Sequence, residues 1–363
     1  MKKFTRNIFL LLNLLVAAAM ILAYLSNHIS PSKAWLMAFF GLTYPYLLLA
    51  NTGFLVFWWW RKNKYAFISL IIILVGFSNI GRYIQFNIQK EIPDTADKIK
   101  VVSYNVRIFN YYLWENKNDV RDNIFSFLKS EGADFICLQE FLTKKNVPAQ
   151  TEQRIGKELS QTPHKHIEYT KSFSNGNSNF GLATFSRYPI LNRGKIDFNN
   201  SVNTCIYSDV KIKEDTFRIY NLHLQSIHLK KNNYGILDSI FHINSKKIGE
   251  VKDVTNRLRY AFIKRAKQAD LVEKHISSSP YPVILCGDFN DTPVSYTYSK
   301  LLGERKDAYR EAGFGTGKTY RGKLPSYRID YIFYSQEFDA VKYESKRVPL
   351  SDHYPVSAEF IIE

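Results

Sequence analysis

Apolar residues dominate the first 86 positions of the chain, in uncharged runs long enough to form membrane-crossing helices. One run covers residues 8–25 and a second covers 34–60, while a third covers 65–86 and carries one charge near its end, Arg82. At a rise of 1.5 Å per residue, roughly 20 residues cross a hydrocarbon core of about 30 Å. The pattern therefore predicts three transmembrane helices, which form a membrane anchor over residues 1–86.

Beyond residue 98 the pattern changes to short apolar runs separated by polar turns, which is typical of β-strands. Such runs lie at residues 99–106, 135–138, 181–185, 204–212, 217–224, 283–286, 328–334 and 356–362, and helical stretches lie near 120–130 and 257–275. Residues 87–98 contain Pro93, Asp94 and Asp97, which predicts a polar linker. Strands dominate without regular alternation, so an α+β domain is predicted over residues 99–363.

Charge is divided unevenly between these two parts. Residues 1–90 contain nine Lys and Arg but no Asp or Glu, which leaves 40 basic against 33 acidic residues downstream. The basic residues of the short loops lie before the first run and between the second and third: Lys2, Lys3, Arg6, Arg61, Lys62 and Lys64. Since such charges stay in the cytoplasm, the sequence predicts a multi-pass inner-membrane protein whose domain is periplasmic or otherwise extracytoplasmic. A cleaved signal peptide is the alternative for the first run, and cleavage would leave the domain on the same side.

The three cysteines, Cys137, Cys205 and Cys286, each lie inside an apolar run. Their odd number and wide spacing do not indicate a disulfide framework or a zinc site. They are predicted to be small buried residues of the core.

Polar side chains recur where the apolar runs end. These residues are Asn105, Glu140, His223, Asp288, Asn290, Asp330, Asp352 and His353. Any one of them alone fits a turn or a helix cap, but their repetition favours a common site at one edge of a sheet. Carboxylates such as Glu140 and Asp330 suit Mg²⁺ or Mn²⁺ rather than zinc, and the imidazoles can move protons or contact a phosphoryl group. This chemistry predicts hydrolysis of a phosphate ester.

The strings that carry these residues resemble the endonuclease/exonuclease/phosphatase family, in the family's order, over about residues 99–363. They are Ser-Tyr-Asn-Val, Leu-Gln-Glu, Gly-Leu-Ala-Thr-Phe-Ser-Arg-Tyr-Pro-Ile, Asn-Leu-His-Leu, Gly-Asp-Phe-Asn-Asp-Thr-Pro, Arg-Ile-Asp-Tyr-Ile and Ser-Asp-His-Tyr-Pro-Val. The resemblance implies a four-layered α/β/β/α sandwich, in which two sheets pack face to face with helices outside. The site is then expected at one end of the sheets.

The resemblance also implies roles for single residues. Glu140 would be the principal ligand of Mg²⁺ or Mn²⁺, with Asn105, Asp330 and Asp352 near the metal. Asp288 and Asn290 would position the attacking water and the phosphate. His353, paired with an acidic neighbour, and His223 would be the catalytic imidazoles, with His223 and Asn290 also contacting substrate. The number of metal ions, and whether Asp288 or His353 accepts the proton, stay open.

One position departs from the abasic-site endonuclease branch of the family. Asn179 stands where that branch has a tyrosine, two residues before Gly181. Asn179 is therefore a candidate substrate contact, and a role in DNA repair is disfavoured. The spacer at residues 226–259 is predicted to be either a loop that contacts substrate or membrane or a solvated insertion.

Three functions stay open on the sequence. The favoured one is a nuclease-like phosphodiesterase, and the second is a hydrolase of phospholipid or a small phosphoester, as in the sphingomyelinase and inositol-phosphatase branches. The third is a non-catalytic binding module with the same fold. The expected partners are the lipid bilayer and a phosphoester substrate, and no obligate protein partner is inferred.

Overall fold

A computed structural model describes residues 3–88, 97–110, 117–199, 201–227, 245–322 and 327–362. Its N-terminal part, residues 3–83, is called the helical unit below. The helices of this unit are α1 (Lys3–Leu25), α2 (Pro31–Ala34), α3 (Leu36–Leu42), α4 (Tyr44–Trp60), α5 (Ala66–Val75) and α6 (Phe77–Ile80). Pro45 lies in the first turn of α4, where its missing N–H leaves no helical hydrogen bond unmade.

The prediction of three full-length transmembrane helices is wrong. Among the residues that the structure describes, α1 is the one helix long and apolar enough to cross a membrane. Helices α3 and α4 together would form a second span only if that span contains the 66° bend between them. The third predicted span, 65–86, contains the 10-residue helix α5, which rises only about 15 Å. Gly76 separates α5 from α6, and the chain then enters a strand at Ile84.

Helices α1, α4 and α5 pack against each other through polar as well as apolar side chains. The Asn13 amide donates to Ser69 Oγ at 2.8 Å and accepts from Trp58 Nε1 at 3.1 Å, and all three side chains are buried. The opposite faces expose large apolar side chains: Leu11, Leu15, Leu49, Val56, Phe67, Ile71 and Val75. A contiguous apolar surface of this kind marks a contact with lipid or protein.

The remaining residues form two six-stranded sheets and a small ribbon. The strands are β1 (Ile84–Phe86), β2 (Lys98–Asn105), β3 (Phe135–Lys144), β4 (His164–Phe173), β5 (Ser178–Ser186), β6 (Ile190–Asp197), β7 (Thr204–Ile212), β8 (Asp215–His223), β9 (Val283–Asp288), β10 (Lys306–Asp307), β11 (Phe314–Thr316), β12 (Asp330–Tyr334), β13 (Phe338–Ser345) and β14 (Val356–Ile362). The first sheet has the order β13-β14-β2-β3-β5-β4 and the second has the order β10-β12-β9-β8-β7-β6, while β1 pairs with β11.

Helices cover the outer faces of both sheets. They are α7 (Lys117–Ser130), α8 (Glu152–Glu158), α9 (Ser245–Ile276) and α10 (Tyr296–Leu302), with 3-10 turns at Arg107–Asn110 and Pro148–Gln150. The short helix α11 (Ala308–Ala312) instead contributes Ala308 and Tyr309 to the core between the sheets. Val101 and Ile219 belong to the apolar core between the sheets. Ile124 of α7 packs on the first sheet and Val272 of α9 on the second. The α+β class is thus confirmed, in a layered helix–sheet–sheet–helix order.

Several local predictions can be compared with this fold. The three cysteines are buried and free, as predicted, and each lies within a strand. The predicted helix at 257–275 is the second half of α9, which begins at Ser245. The spacer at 226–259 lies partly outside the described residues, because 228–244 are not described, and so does the linker at 87–98.

A buried histidine between the two sheets makes folding sensitive to acid. His166 of β4 lies 3.0 Å from Ser208 Oγ of β7, and burial, with a contribution from Arg193, lowers its pKa to about 4. The unfolded imidazole, with a pKa near 6.5, takes up its proton first. Stability from this residue is therefore complete above about pH 7 and is lost as the pH falls toward 4, by about 3 kcal/mol in total.

Urea unfolding of the detergent-solubilised protein at pH 7.5 and pH 4.5 tests this expectation. Between these two pH values the His166→Gln variant should lose about 2.5 kcal/mol of the acid-dependent change in unfolding free energy. His164→Gln, on the same strand and less buried, should keep it. An equal pH dependence in the wild type and in His166→Gln would contradict the assignment.

Candidate active site

The polar residues at the strand ends meet at one edge of the two sheets. Strands β8 and β9 run parallel, so His223 and Asp288 end on the same side of the second sheet, and Asn105, which ends β2 of the first sheet, meets them through a hydrogen bond to Asp288. Strand β12 is antiparallel to β9 and begins at Asp330, which pairs directly with Asp288. His223 pairs with Asp288 from the other neighbouring strand. Three of the predicted residues are therefore adjacent through backbone pairing alone.

Glu140 reaches this edge through an irregularity in β3. The pairing of β3 with β5 shifts register between Leu138 and Phe141, and Glu140 has a φ of 51°. A left-handed backbone is costly for a residue with a side chain, and a bulge of this kind redirects the side chain. Glu140 Oε1 consequently lies 3.4 Å from Asn105 Nδ2 and 3.9 Å from His223 Nε2.

Asp288 is the centre of the cluster. Its Oδ2 accepts hydrogen bonds from Asn105 Nδ2 at 2.9 Å and from Asn290 Nδ2 at 3.1 Å. The same oxygen lies 3.6 Å from His223 Nε2 and 3.7 Å from His353 Nε2. One buried carboxylate oxygen is thus surrounded by two amides and two imidazoles.

Backbone geometry around Asp288 fixes this arrangement. Gly287 has a φ of 142°, and an added Cβ would overlap the carbonyl oxygen of Leu222 on the adjacent strand, so only glycine fits there. Asn290 has a φ of 53°, its N–H donates to Asp288 Oδ1 at 2.9 Å, and its amide donates to the Leu224 carbonyl at 3.0 Å. The turn that follows β9 therefore holds Asp288 and Asn290 in one orientation.

The acidic partner of His353 is Asp330. His353 Nδ1 lies 2.9 and 3.1 Å from the two oxygens of Asp330. Asp352, the neighbour in sequence, instead faces Arg107, with 3.2 Å between its Oδ2 and Arg107 Nε. The ring of Tyr320 packs edge-on against the His353 ring at 5.5 Å. The imidazole is therefore oriented by Asp330 at its Nδ1 atom and by the ring of Tyr320.

The surroundings of the cluster raise the pKa values of two acids and of the His353 imidazole, for different reasons. Burial raises the pKa of Glu140, and burial together with Asp330 raises the pKa of Asp288 to about 6. Burial acts to lower the pKa of His353, but the charges of Asp330 and Asp288 outweigh it and raise that pKa to about 10. At neutral pH His353 is thus a cation that can donate, while Asp288 is largely ionised and can accept.

The donor set fits a hard divalent cation. Glu140 and Asp288 both present a carboxylate oxygen to Asn105 Nδ2, at 3.4 and 2.9 Å. Asp330 adds a further carboxylate, and ligand atoms of Asp288, Asp330 and His353 all lie within 4.8 Å of one another, although His353, charged at neutral pH, cannot itself bind a cation. Oxygen ligands of this kind are preferred by Mg²⁺ and Mn²⁺, and a cation beside Glu140 and Asp288 would favour their ionised forms.

Two further residues need a place relative to the cluster: Asn179, which was predicted to belong to the site, and Arg107, which was not. Asn179 lies in β5, but its Oδ1 accepts from Ser172 Oγ at 2.8 Å, within the β4–β5 hairpin; no described contact joins it to the cluster. Arg107 was not predicted, although it follows Asn105 by two residues. Its φ of 45° turns the chain so that it meets Asp352.

Fold and cluster together define a two-sheet phosphoesterase-like architecture with its acids, amides and imidazoles at one edge. The chain belongs to the endonuclease/exonuclease/phosphatase family, whose model matches residues 84–353. Residues 6–83 match a second model, a domain of unknown function (DUF8431). No curated protein matches the sequence.

Solved structures share the fold at low sequence identity. An endonuclease/exonuclease/phosphatase from Bacteroides vulgatus is 18% identical, with 74% of this chain and 100% of that chain covered and a TM-score of 0.53. The human Nocturnin catalytic domain with bound sulfate is 18% identical, with 75% and 97% covered and a TM-score of 0.51. D. rerio TDP2 complexed with single-strand DNA product is 17% identical, with 73% and 99% covered and a TM-score of 0.51.

Proposed function

We propose that this chain is a divalent-metal-dependent hydrolase of phosphate esters that its helical unit attaches to a membrane. The observation that carries the proposal is the convergence of two amides and two imidazoles on Asp288, with Glu140 beside them. Hydrolases of this family act on phosphoester bonds, which supports the reaction class. The completeness of the cluster disfavours a non-catalytic binding module.

The geometry suggests a division of roles among these residues. Asp288 and Asn290 would orient the attacking water, and Asp288, ionised at neutral pH, would accept its proton. His353, held charged by Asp330, would donate to the phosphoryl oxygens, where negative charge grows during the reaction. His223 lies beside both acids, where it can contact the phosphate or assist the leaving group.

Glu140 is the proposed principal residue for Mg²⁺ or Mn²⁺, with Asn105 beside it. When bound, the metal would stabilise negative charge on the phosphate. Asp330 and Asp352, also expected near the metal, have other partners in this structure, His353 and Arg107. We therefore assign Asp330 first to the orientation of His353.

Two substrate classes are consistent with this site. TDP2 was solved with a single-strand DNA product, and a structural neighbour of that kind supports a nuclease-like phosphodiesterase. A phospholipid or small phosphoester offers the same reacting bond and suits a membrane-attached enzyme. The reaction centre alone does not separate them, because it contacts the phosphate that both share.

Membrane attachment is proposed through α1, with the other apolar helices packed along it. Retention of α1, rather than cleavage as a signal peptide, is supported by its buried partners. Asn13 binds Ser69 and Trp58, and Met20 and Ala23 are fully buried, so cleavage would expose a polar and apolar interior. The basic residues Lys3 and Arg6 support a cytoplasmic N-terminal end of α1, which would leave the domain on the extracytoplasmic face.

A substrate panel tests the proposed activity. The full chain in detergent should hydrolyse bis-p-nitrophenyl phosphate with Mg²⁺ or Mn²⁺, lose activity with EDTA, and regain it when the metal is restored. Supercoiled DNA, RNA and phospholipid in the same panel give the preferred ester. If no phosphoester is hydrolysed with any divalent metal, the binding-module alternative gains support.

A reporter fusion tests the location of the domain. Alkaline phosphatase fused after residue 88 should be active outside the cytoplasm. Activity of a cytoplasmic reporter at the same point would contradict the orientation.

A further inference from the structure

The helical unit contacts the catalytic domain close to the residues of the candidate active site. Ser26 Oγ lies 3.4 Å from the Val294 carbonyl, and Arg82 Nη1 donates to the Pro293 carbonyl at 2.9 Å. Val294 follows Asn290 by four residues, which span at most about 14 Å. The segment after β9 therefore joins the active site directly to the helical unit.

A second contact lies just before the other acidic strand. Tyr327 Oη donates to the Leu42 carbonyl at 3.3 Å, and Arg328 Nη2 donates to the Arg82 carbonyl at 3.0 Å. Arg328 precedes Asp330 by two residues, a span of at most about 7 Å. Both segments that carry buried acids of the cluster thus rest on the helical unit.

Helix α9 makes the third contact. Phe262 packs edge-on against Phe39 of α3 at 5.3 Å, and the Arg259 guanidinium lies 5.1 Å from the Trp35 ring. About one turn further, the buried Arg265 donates to Asp291 Oδ2 at 3.2 Å. Asp291 adjoins Asn290, so α9 links the helical unit to the same turn.

These contacts determine which edge of the sandwich faces the helical unit. The residues that touch the domain lie at the C-terminal end of α1 and the N-terminal end of α4, whereas the basic ends, at Lys3 and Arg61, are at the other end of the helices. The turn at Lys213 and Glu214 begins β8, and His223 ends it. That turn therefore lies at the opposite end of β8 from the active site, about 30 Å along the strand.

The cluster stays accessible beside the helical unit. The side chains of Glu140, Asp352 and Arg107 are 26%, 23% and 40% exposed, and they belong to the first sheet, whereas the helical unit contacts segments of the second. Leu36 and Tyr260, next to the contact between α3 and α9, are also exposed. The helical unit thus leaves part of the cluster exposed.

The geometry points to a substrate that the bilayer itself carries, namely a lipid whose headgroup is joined through a phosphodiester. This inference rests on the proposed function and on the proposed membrane attachment. Water adds to phosphorus, the bond to one ester oxygen breaks, and that oxygen leaves as an alcohol after taking a proton. The other ester bond stays, as a phosphomonoester. A headgroup in the same bilayer is concentrated at the site, which a soluble polymer is not.

The first test compares ester classes with the full chain in vesicles of phosphatidylethanolamine and phosphatidylglycerol, with Mg²⁺ or Mn²⁺ present. Lipid should be hydrolysed at least about tenfold faster than single-stranded DNA at an equal phosphodiester concentration. Hydrolysis of bis-p-nitrophenyl phosphate with slower lipid than DNA turnover would overturn the inference and leave the proposed function standing. No turnover of any ester would remove both.

A pair of glycine variants tests the docking contact. At Gly41 an added Cβ would overlap Ser26 Oγ and the Val294 carbonyl oxygen, while at Gly53 it would meet nothing within 4 Å. Gly41→Ala should lower the ratio of lipid to aryl phosphodiester turnover at least about fivefold, because it tilts the site edge relative to the bilayer. Gly53→Ala should keep the ratio. An unchanged ratio in Gly41→Ala would refute the role of this contact.

A direct measurement of orientation does not depend on the folding of Gly41→Ala. The three native cysteines are buried, so a fluorophore can be attached selectively to a single introduced thiol. In vesicles with headgroup-attached quencher, the label on Tyr260→Cys should be quenched strongly and the label on Glu214→Cys weakly. Equal quenching at the two positions would overturn the proposed orientation.

Discussion

Replacement of Asp288 by Asn is expected to lower phosphodiester turnover by about 10³-fold. The amide is nearly the same size as the carboxylate but cannot accept the proton of the attacking water. It also removes the negative charge that faces His223 and His353, at 3.6 and 3.7 Å. Initial rates with bis-p-nitrophenyl phosphate and a saturating metal concentration measure the effect.

This variant should separate catalysis from folding. The carboxyl group of Asp288 is crowded and buried, and its raised pKa shows that the fold disfavours its charge. Asp288→Asn loses one acceptor for the amides of Asn105 and Asn290, so it should unfold at a somewhat lower temperature than the wild type but stay folded under assay conditions. Asp215→Asn, at the exposed opposite end of β8, is the matched control and should keep full activity. Turnover within tenfold of the wild type in Asp288→Asn would contradict the proposed role.

Replacement of Arg328 by Met is expected to give the largest loss of stability, about 3–5 kcal/mol. The buried guanidinium binds both oxygens of Asp307, at 3.0 and 2.7 Å, and lies 4.4 and 4.6 Å from the rings of Tyr309 and Tyr331. Methionine would fill much of the space but would leave the Asp307 charge buried without its cation. Urea unfolding followed by circular dichroism measures the change.

Two further variants give this prediction its control. Arg154→Met removes an exposed ion pair with Glu158, and should cost no more than about 0.5 kcal/mol. Asp307→Asn combined with Arg328→Met should recover part of the loss, because the uncompensated charge is then absent. If Arg328→Met and Arg154→Met were equally stable, the buried pair would not have the importance assigned to it.

The site shows how far strand-end residues can be interpreted without coordinates. His223, Asp288 and Asp330 converge because they end or begin neighbouring strands of one sheet, Asn105 ends a strand of the sheet packed against it, and apolar runs reveal where such strands end. Strand ends do not identify the acidic partner of His353. Its sequence neighbour Asp352 faces Arg107, and Asp330 binds the imidazole. Neighbours in an extended chain point to opposite sides, so adjacency in sequence does not predict contact.

In the helical unit, the sequence predicted the helices but not their bends and ends. Apolar runs identified its helices, but composition did not reveal the bend between α3 and α4 or the early end of α5. Glycine, Thr43 and the packing of buried polar groups such as Asn13 decide those points. Hydropathy measures the preference of a segment for lipid, and it gives little information on where a helix bends or ends.

The sequence by itself therefore determined the α+β class, the polar strand ends and the apolar N-terminal part, because each follows from residue type and period. Tertiary structure alone decided the left-handed backbone at Glu140, the pairing of His353 with Asp330, and the contact of Val294 and Arg328 with the helical unit. These features join residues that are distant in sequence. They depend on the relative position of strands and helices, which is set by the packing of the whole chain.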